Sequence, residues 1–123
     1  MHFVHVTTKE EAYNVLIGPA LLGRLSELYP KPPEAGSPVL VVADSNTDAL
    51  FGDLVAEGLG SLGYRVERFV FPAGEGSKTA STLAEIHEAA FRAGLTRRDR
   101  MVALGGGVVG DLTGFAAATY MRG

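Results

Sequence analysis

The spacing of hydrophobic positions divides this chain into two regimes. Residues 2–6 read as an alternating strand into Thr7 and Thr8, the charged Lys9, Glu10 and Glu11 supply a turn, and a second short strand follows at residues 13–17. That pattern predicts a β-hairpin at the edge of a sheet. Gly18 and Pro19 then punctuate the chain, and Leu21, Leu22, Leu25 and Leu28 recur at the spacing of an amphipathic helix that stops before Pro30. Residues 30–38, with four prolines, a glycine and a serine, read as a loop.

Beyond that loop the pattern becomes one of repeated strand–helix units. Residues 39–43 are continuously apolar, as expected of a strand covered on both faces of a parallel sheet. Residues 50–62 place Leu50, Leu54, Val55 and Leu59 on one stripe, with Gly63 as the terminator. A strand at 66–71, a loop at 72–77 and a helix to residue 93 follow, with Leu83, Ile86, Ala90 and Phe91 as its buried stripe and Gly94 at its end. Residues 101–104 predict a third buried strand, and a glycine turn at 105–107 opens a last helix with a face of Leu112, Phe115, Ala116 and Thr119. The expected fold is α/β: one domain over residues 1–123, with a Rossmann-like parallel sheet, flanking helices, right-handed crossovers and an N-terminal β-hairpin. Residues 120–123 close the last helix with no further strand, the pattern expected of a truncated chain or one part of a larger protein.

Composition narrows the classes. Hydrophobic residues make up 46% and charged residues 20% of the 123, which predicts a buried core and excludes a disordered segment. Cysteine is absent, so disulfides, thiolate metal sites and thiol nucleophiles are excluded. The net charge of −3, with no tryptophan and no evident basic face, argues against a nucleic-acid partner. The run Arg97, Arg98, Asp99, Arg100 reads as a solvated loop. With no run of 18 apolar residues and no secretory pattern at the start, the expectation is a cytoplasmic chain without a membrane partner. Glycine, 16 of 123, exceeds the usual share of roughly 7% and marks turns or close ligand approach.

In parallel α/β sheets ligands sit at the carboxyl ends of the strands, so the residues directly after positions 43, 71 and 104 carry the candidate chemistry. After the third strand, Gly105, Gly107 and Gly110 form G-x-G-x-x-G between a strand and a helix, where free N–H groups and the helix dipole favour a pyrophosphate. Tight helix–strand packing is the competing reading of the same glycines. After the first strand come Asp44, Ser45 and Asn46, readable as ribose acceptors or as a helix cap. After the second strand come Gly74, Glu75, Gly76, Ser77, Lys78 and Thr79. This is not a P-loop, because Ser77 separates the last glycine from the lysine and Phe71 stands where the first glycine belongs. Lys78 at a helix start opposes the helix dipole, which points to a phosphate or carboxylate partner, with Glu75 either orienting it or accepting from a sugar hydroxyl. His2 and His5, three apart on a strand, face opposite ways, and His87 is expected at the edge of the core, so no metal cluster is predicted.

Three strings carry a resemblance: Val42 to Asn46, Pro72 to Thr79, and the long run from Ala103 to Gly123, which includes Val108, Val109, Gly110, Asp111, Leu112, Thr113, Gly114 and Phe115. With these strings the chain resembles the amino-terminal nucleotide-binding domain of the 3-dehydroquinate synthases, within the sugar-phosphate cyclases. The iron-dependent alcohol and glycerol dehydrogenases share the fold and a triple-glycine turn, but the run after Gly107 is similar to the synthases. The resemblance implies a cytosolic, homodimeric shikimate-pathway lyase. It would convert 3-deoxy-D-arabino-heptulosonate 7-phosphate to 3-dehydroquinate and phosphate, using NAD and a divalent metal, zinc or cobalt. It further implies that Asp44 and Asn46 contact the adenosine side of NAD, that Glu75 and Lys78 contact its ribose or phosphate region, and that Gly106, Gly107 and Val108 contact the pyrophosphate, with Gly74, Gly76, Ser77, Val109 and Gly110 also among the cofactor-binding residues. Asp111 would lie toward nicotinamide and substrate, and Arg122 would contact the substrate phosphate across a dimer interface, a role suited to its bidentate geometry. The family's metal ligands correspond to positions after Gly123, so the 123 residues alone are expected to be inactive. Two other readings stand beside this one: another sugar-phosphate cyclase, and a nucleotide-binding module without catalysis.

Overall fold

The computed structural model describes residues 2–9, 12–18 and 20–122. Its centre is strand β3 (Pro38–Asp44), flanked by β4 (Arg65–Phe71) and β5 (Arg100–Leu104), all parallel, in the order β4-β3-β5. Val39, Leu40, Val41, Val42 and Ala43 are all buried. Their continuously apolar side chains, three of them β-branched valines, suit a strand covered on both faces. Alternate residues feed two cores. Leu40 and Val42 pack with Phe71, Ile86, Val109 and Leu112, and Val39, Val41 and Ala43 pack with Val55, Leu59, Tyr64 and Leu104.

Helices α4 (Ala80–Arg92) and α5 (Gly107–Thr119) cover the first face, and α3 (Asp53–Leu62) covers the second. The register puts Asp44 opposite Phe71, and Ala43 opposite Leu104, so the three carboxyl ends finish level and their loops converge. Among the described residues, no helix is long and apolar enough to cross a membrane.

Several expectations need correction. The hairpin exists, as β1 (His2–Thr7) and β2 (Ala12–Ile17) in antiparallel register, but it forms its own two-stranded sheet and does not edge the parallel one. Its expected turn at Glu10 and Glu11, like Pro19, lies outside the described residues. The leucines at 21–28 form a 3-10 turn (Leu21–Arg24) and one turn of helix, α1 (Leu25–Leu28), and are only half-buried. The helix after β3 begins earlier than position 50, with α2 (Ser45–Thr47) and a π-helical segment (Asp48–Gly52) leading into α3. A wide turn slips the phase of the stripe. Val55 and Leu59 stay buried, whereas Leu50 and Leu54 turn outward. On α4 the buried row is Thr82, Ile86 and Ala90, and Phe91, one residue past Ala90, is 76% exposed. On α5 the row is Val109, Leu112, Thr113 and Ala116, leaving Phe115 and Thr119 exposed. Strand β5 has one paired edge, and its Ala103 is exposed, so the third strand is only partly covered.

Candidate functional site

Each carboxyl end is tied to its neighbour. Asp44 ends β3, and its Oδ1 accepts from the N–H groups of Asn46 and Thr47 at 2.9 and 2.8 Å, while the Asp44 N–H donates to Thr47 Oγ1, a reciprocal cap. Thr47 Oγ1 donates to the carbonyl of Leu104 at the end of β5 (2.8 Å), and Ser45 Oγ accepts from the Ala73 N–H after β4 (3.0 Å). Two short hydroxyl side chains thus lock three loops into one platform. Of the two readings left open for Asp44, the structure shows the cap.

The glycine turn separates into two roles. Gly105 has φ +156°, and a Cβ there would come within 2.6 Å of Val109 and 3.5 Å of Thr47. Only glycine lets the chain pass between α5 and the β3 loop. Gly106, Gly107 and Gly110 have nothing within 4 Å of where a Cβ would stand. Their lack of side chains leaves open space at the start of α5, and Gly106 as N-cap offers no side-chain acceptor to the first N–H groups. Those orphan donors and the positive end of the helix dipole face that space.

After β4, Gly74 at φ +114° turns the chain, Glu75–Ser77 make one 3-10 turn, and Thr79 Oγ1 caps α4 by accepting from the Thr82 N–H (3.1 Å). Lys78 therefore precedes the helix and is not part of it. Its Nζ lies 2.9 Å from Asp111 Oδ2 in the opening turns of α5. That hydrogen bond, then the charge of Asp111, then that of Glu75, raise the Lys78 pKa above its ordinary value, so the ammonium is charged throughout the neutral range. Beside the pair a cleft of about 470 Å³ opens between α4 and α5, lined by Thr79, Ala80, Leu83, Leu112 and Phe115. Its rim is ionic and its floor apolar.

Lys78, Asp111 and the open glycines are thus brought to one end of the sheet, with Asp44 and Asn46 on the same platform. Arg122 follows Met121, whose φ of +47° breaks the helical path after α5; only the backbone of Arg122 is described. His87 stands at the core edge as expected, its Nε2 3.1 Å from the Ala116 carbonyl and 2.9 Å from Thr119 Oγ1. No group of three His, Asp or Glu side chains is placed to hold a metal ion among the described residues. Sequence reasoning missed Thr47 and the tie that Ser45 makes to the loop after β4. The spacing of Asp44 and Thr47, three residues apart at a helix start, was the available signal for a reciprocal cap.

Residues 68–123 match the family described as 3-dehydroquinate synthase N-terminal. The whole chain is 45% identical to a 3-dehydroquinate synthase of Synechococcus sp. and 42% identical to that of Pelotomaculum thermopropionicum, covering 33% of each. Over its whole length the chain is similar to the 3-dehydroquinate synthases. It spans about a third of the length of these curated relatives. Among solved structures, 2-deoxy-scyllo-inosose synthase complexed with carbaglucose-6-phosphate, NAD+ and Co2+ superposes with a TM-score of 0.84 at 28% identity, over 99% of this chain and 32% of that one. ValA, a 2-epi-5-epi-valiolone synthase from Streptomyces hygroscopicus with NAD+ and Zn2+ bound, gives 0.71 at 31% identity, over 95% and 32%. The expected resemblance and the expected α/β fold are both borne out.

Proposed function

We propose that this chain is the NAD-binding part of a 3-dehydroquinate synthase, acting in the cytoplasm within a homodimer. The observation that carries the reading is the open space at Gly106 and Gly107, where no side chain caps the first N–H groups of α5, with the Lys78 ammonium bonded to Asp111 of the same helix. That donor set fits a dinucleotide diphosphate. Gly106, Gly107, Val108, Val109 and Gly110 would hold the diphosphate, and Gly74, Glu75, Gly76, Ser77 and Lys78 the ribose and phosphates. Asp44, whose cap bonds run through Oδ1, keeps Oδ2 for the adenosine side together with Asn46.

When bound, NAD supplies the transient oxidation of a secondary alcohol on the sugar phosphate. The chain's own residues orient: the glycine turn would admit the diphosphate to the backbone, Lys78 would balance its charge, and Leu83, Leu112 and Phe115 would offer an apolar surface beside it. Asp111 would lie toward the nicotinamide and substrate, and Arg122 would reach a substrate phosphate across the dimer interface. Zinc or cobalt would be held by residues beyond these 123, so the chain alone is expected to bind cofactor without turnover. Identity of 45% to a 3-dehydroquinate synthase, against 28% and 31% to the other cyclases, favours the synthase reading.

Calorimetric titration of NAD tests this. Saturable binding is expected, weakened roughly five- to tenfold by Lys78→Ala as a charge-assisted contact is lost. A folded chain that takes up no NAD would overturn the proposal.

A further inference from the structure

The Lys78 ammonium is already partnered by a carboxylate of the same chain, at 2.9 Å and across 33 residues. Asp111 belongs to the first turns of α5, the same helix whose open N-terminus forms the cradle, and both side chains line one cleft. An anion that reaches Lys78 must share it with Asp111 or displace that carboxylate. We infer that Asp111 is a specificity-determining residue of the cleft, an internal counter-ion that sets how much ligand charge the site rewards; the inference rests on the cofactor reading above.

The elements explain the arrangement. The Gly74 turn and the Thr79 cap hold Lys78 in the loop ahead of α4, and Leu83 and Leu112 beneath it set the spacing of the two helices. The pair is open to solvent, its side chains 47% and 63% exposed. An exposed pair of this kind is weak and easily exchanged, which makes it a moderating contact and not a lock. The Asp111 carboxylate offsets part of the Lys78 field, so the pair attracts phosphate less than a free ammonium would, and the α5 N–H groups supply the rest. A ligand with two phosphates bridging to a second nucleoside then gains apolar and hydrogen-bonding contact without needing a strong field. A compact polyanion, which relies on that field, gains least.

The test is a titration series on the chain with adenosine, AMP, ADP, inorganic pyrophosphate and NAD, comparing wild type with Asp111→Asn, Lys78→Ala and the double variant, at low and high salt. Asp111→Asn is expected to tighten ADP and pyrophosphate roughly two- to fivefold at low salt, with the gain rising from adenosine through AMP to ADP. The gain should vanish at high salt and in the double variant. Asp111→Asn that weakens ADP as much as Lys78→Ala does would overturn the inference, because Asp111 would then be orienting Lys78 and not competing for it. An equal gain for adenosine and ADP would also overturn it. Asp111→Ser, with a different steric footprint, checks that the effect follows charge. Failure of wild type to bind NAD removes the cofactor reading and this inference together, whereas wild-type NAD binding without the charge-dependent gain removes this inference alone.

Discussion

At the residue scale, adjacent glycines in one turn carry different burdens. Gly105 is held by the fold: its φ of +156° and the approach of Val109 leave no room for a methyl group. Gly105→Ala is expected to cost about 2–3 kcal/mol from backbone strain and overpacking, read as a lower urea midpoint. Gly107 meets nothing where its Cβ would stand. Gly107→Ala should leave stability within about 1 kcal/mol yet, on the proposed function, weaken NAD binding severalfold, because the added methyl would enter the space that reading gives to the diphosphate. The opposite pattern, with Gly107→Ala unfolding the chain, would make that glycine structural. Thr113 offers a third contrast. It is 4% exposed, and its hydroxyl has no hydrogen-bond partner among the described residues. Thr113→Val removes a buried unsatisfied group at nearly constant shape and is expected to stabilise by about 1 kcal/mol. Loss of stability in chemical denaturation would show that the hydroxyl is in fact satisfied.

At the element scale, the informative unit is the loop, because helices and strands only bring the loops together. Strand β3 was legible from its run of Val39 to Ala43, since a strand buried on both faces needs no alternation. The glycine turn was legible too, because its conformational demands are local. Helix faces were legible only in part: the spacing of apolar residues marks an amphipathic stripe, but which side of it meets the sheet depends on neighbours distant in sequence. Phe91 and Phe115 fit the stripes and lie outside the contact. Leu50 fails for a different reason, the π-helical segment Asp48–Gly52, whose geometry is held by Arg68 reaching from β4 to Asp48 and Asp53 across the buried Gly52. A Cβ at Gly52 would strike Arg68 and Asp48. No local pattern announces that contact. The pairing of Lys78 with Asp111 is likewise a product of the crossover geometry, and the sequence indicated only that Lys78 needed an anionic partner.

At the scale of the whole molecule, stability is expected to be uneven, because the chain holds two sheets of unequal support. The parallel sheet has helices on both faces and a central strand with every residue from Val39 to Ala43 buried. The hairpin pairs Val4 with Val15 and Val6 with Tyr13, and Val4, Tyr13 and Val15 are each more than a third exposed. Two strands with an open apolar face are marginal by themselves, so the hairpin depends on the half-buried leucines at 21–28 for its lateral support. Native-state hydrogen exchange should therefore separate the two. The β3 amides from Val39 to Ala43 are expected to exchange only through global unfolding, while the β1–β2 amides open locally, on the order of 100-fold faster. Equal protection in both sheets would mean that the hairpin and the parallel sheet unfold as one cooperative unit, with the 3-10 turn and α1 coupling them more tightly than their half-burial implies.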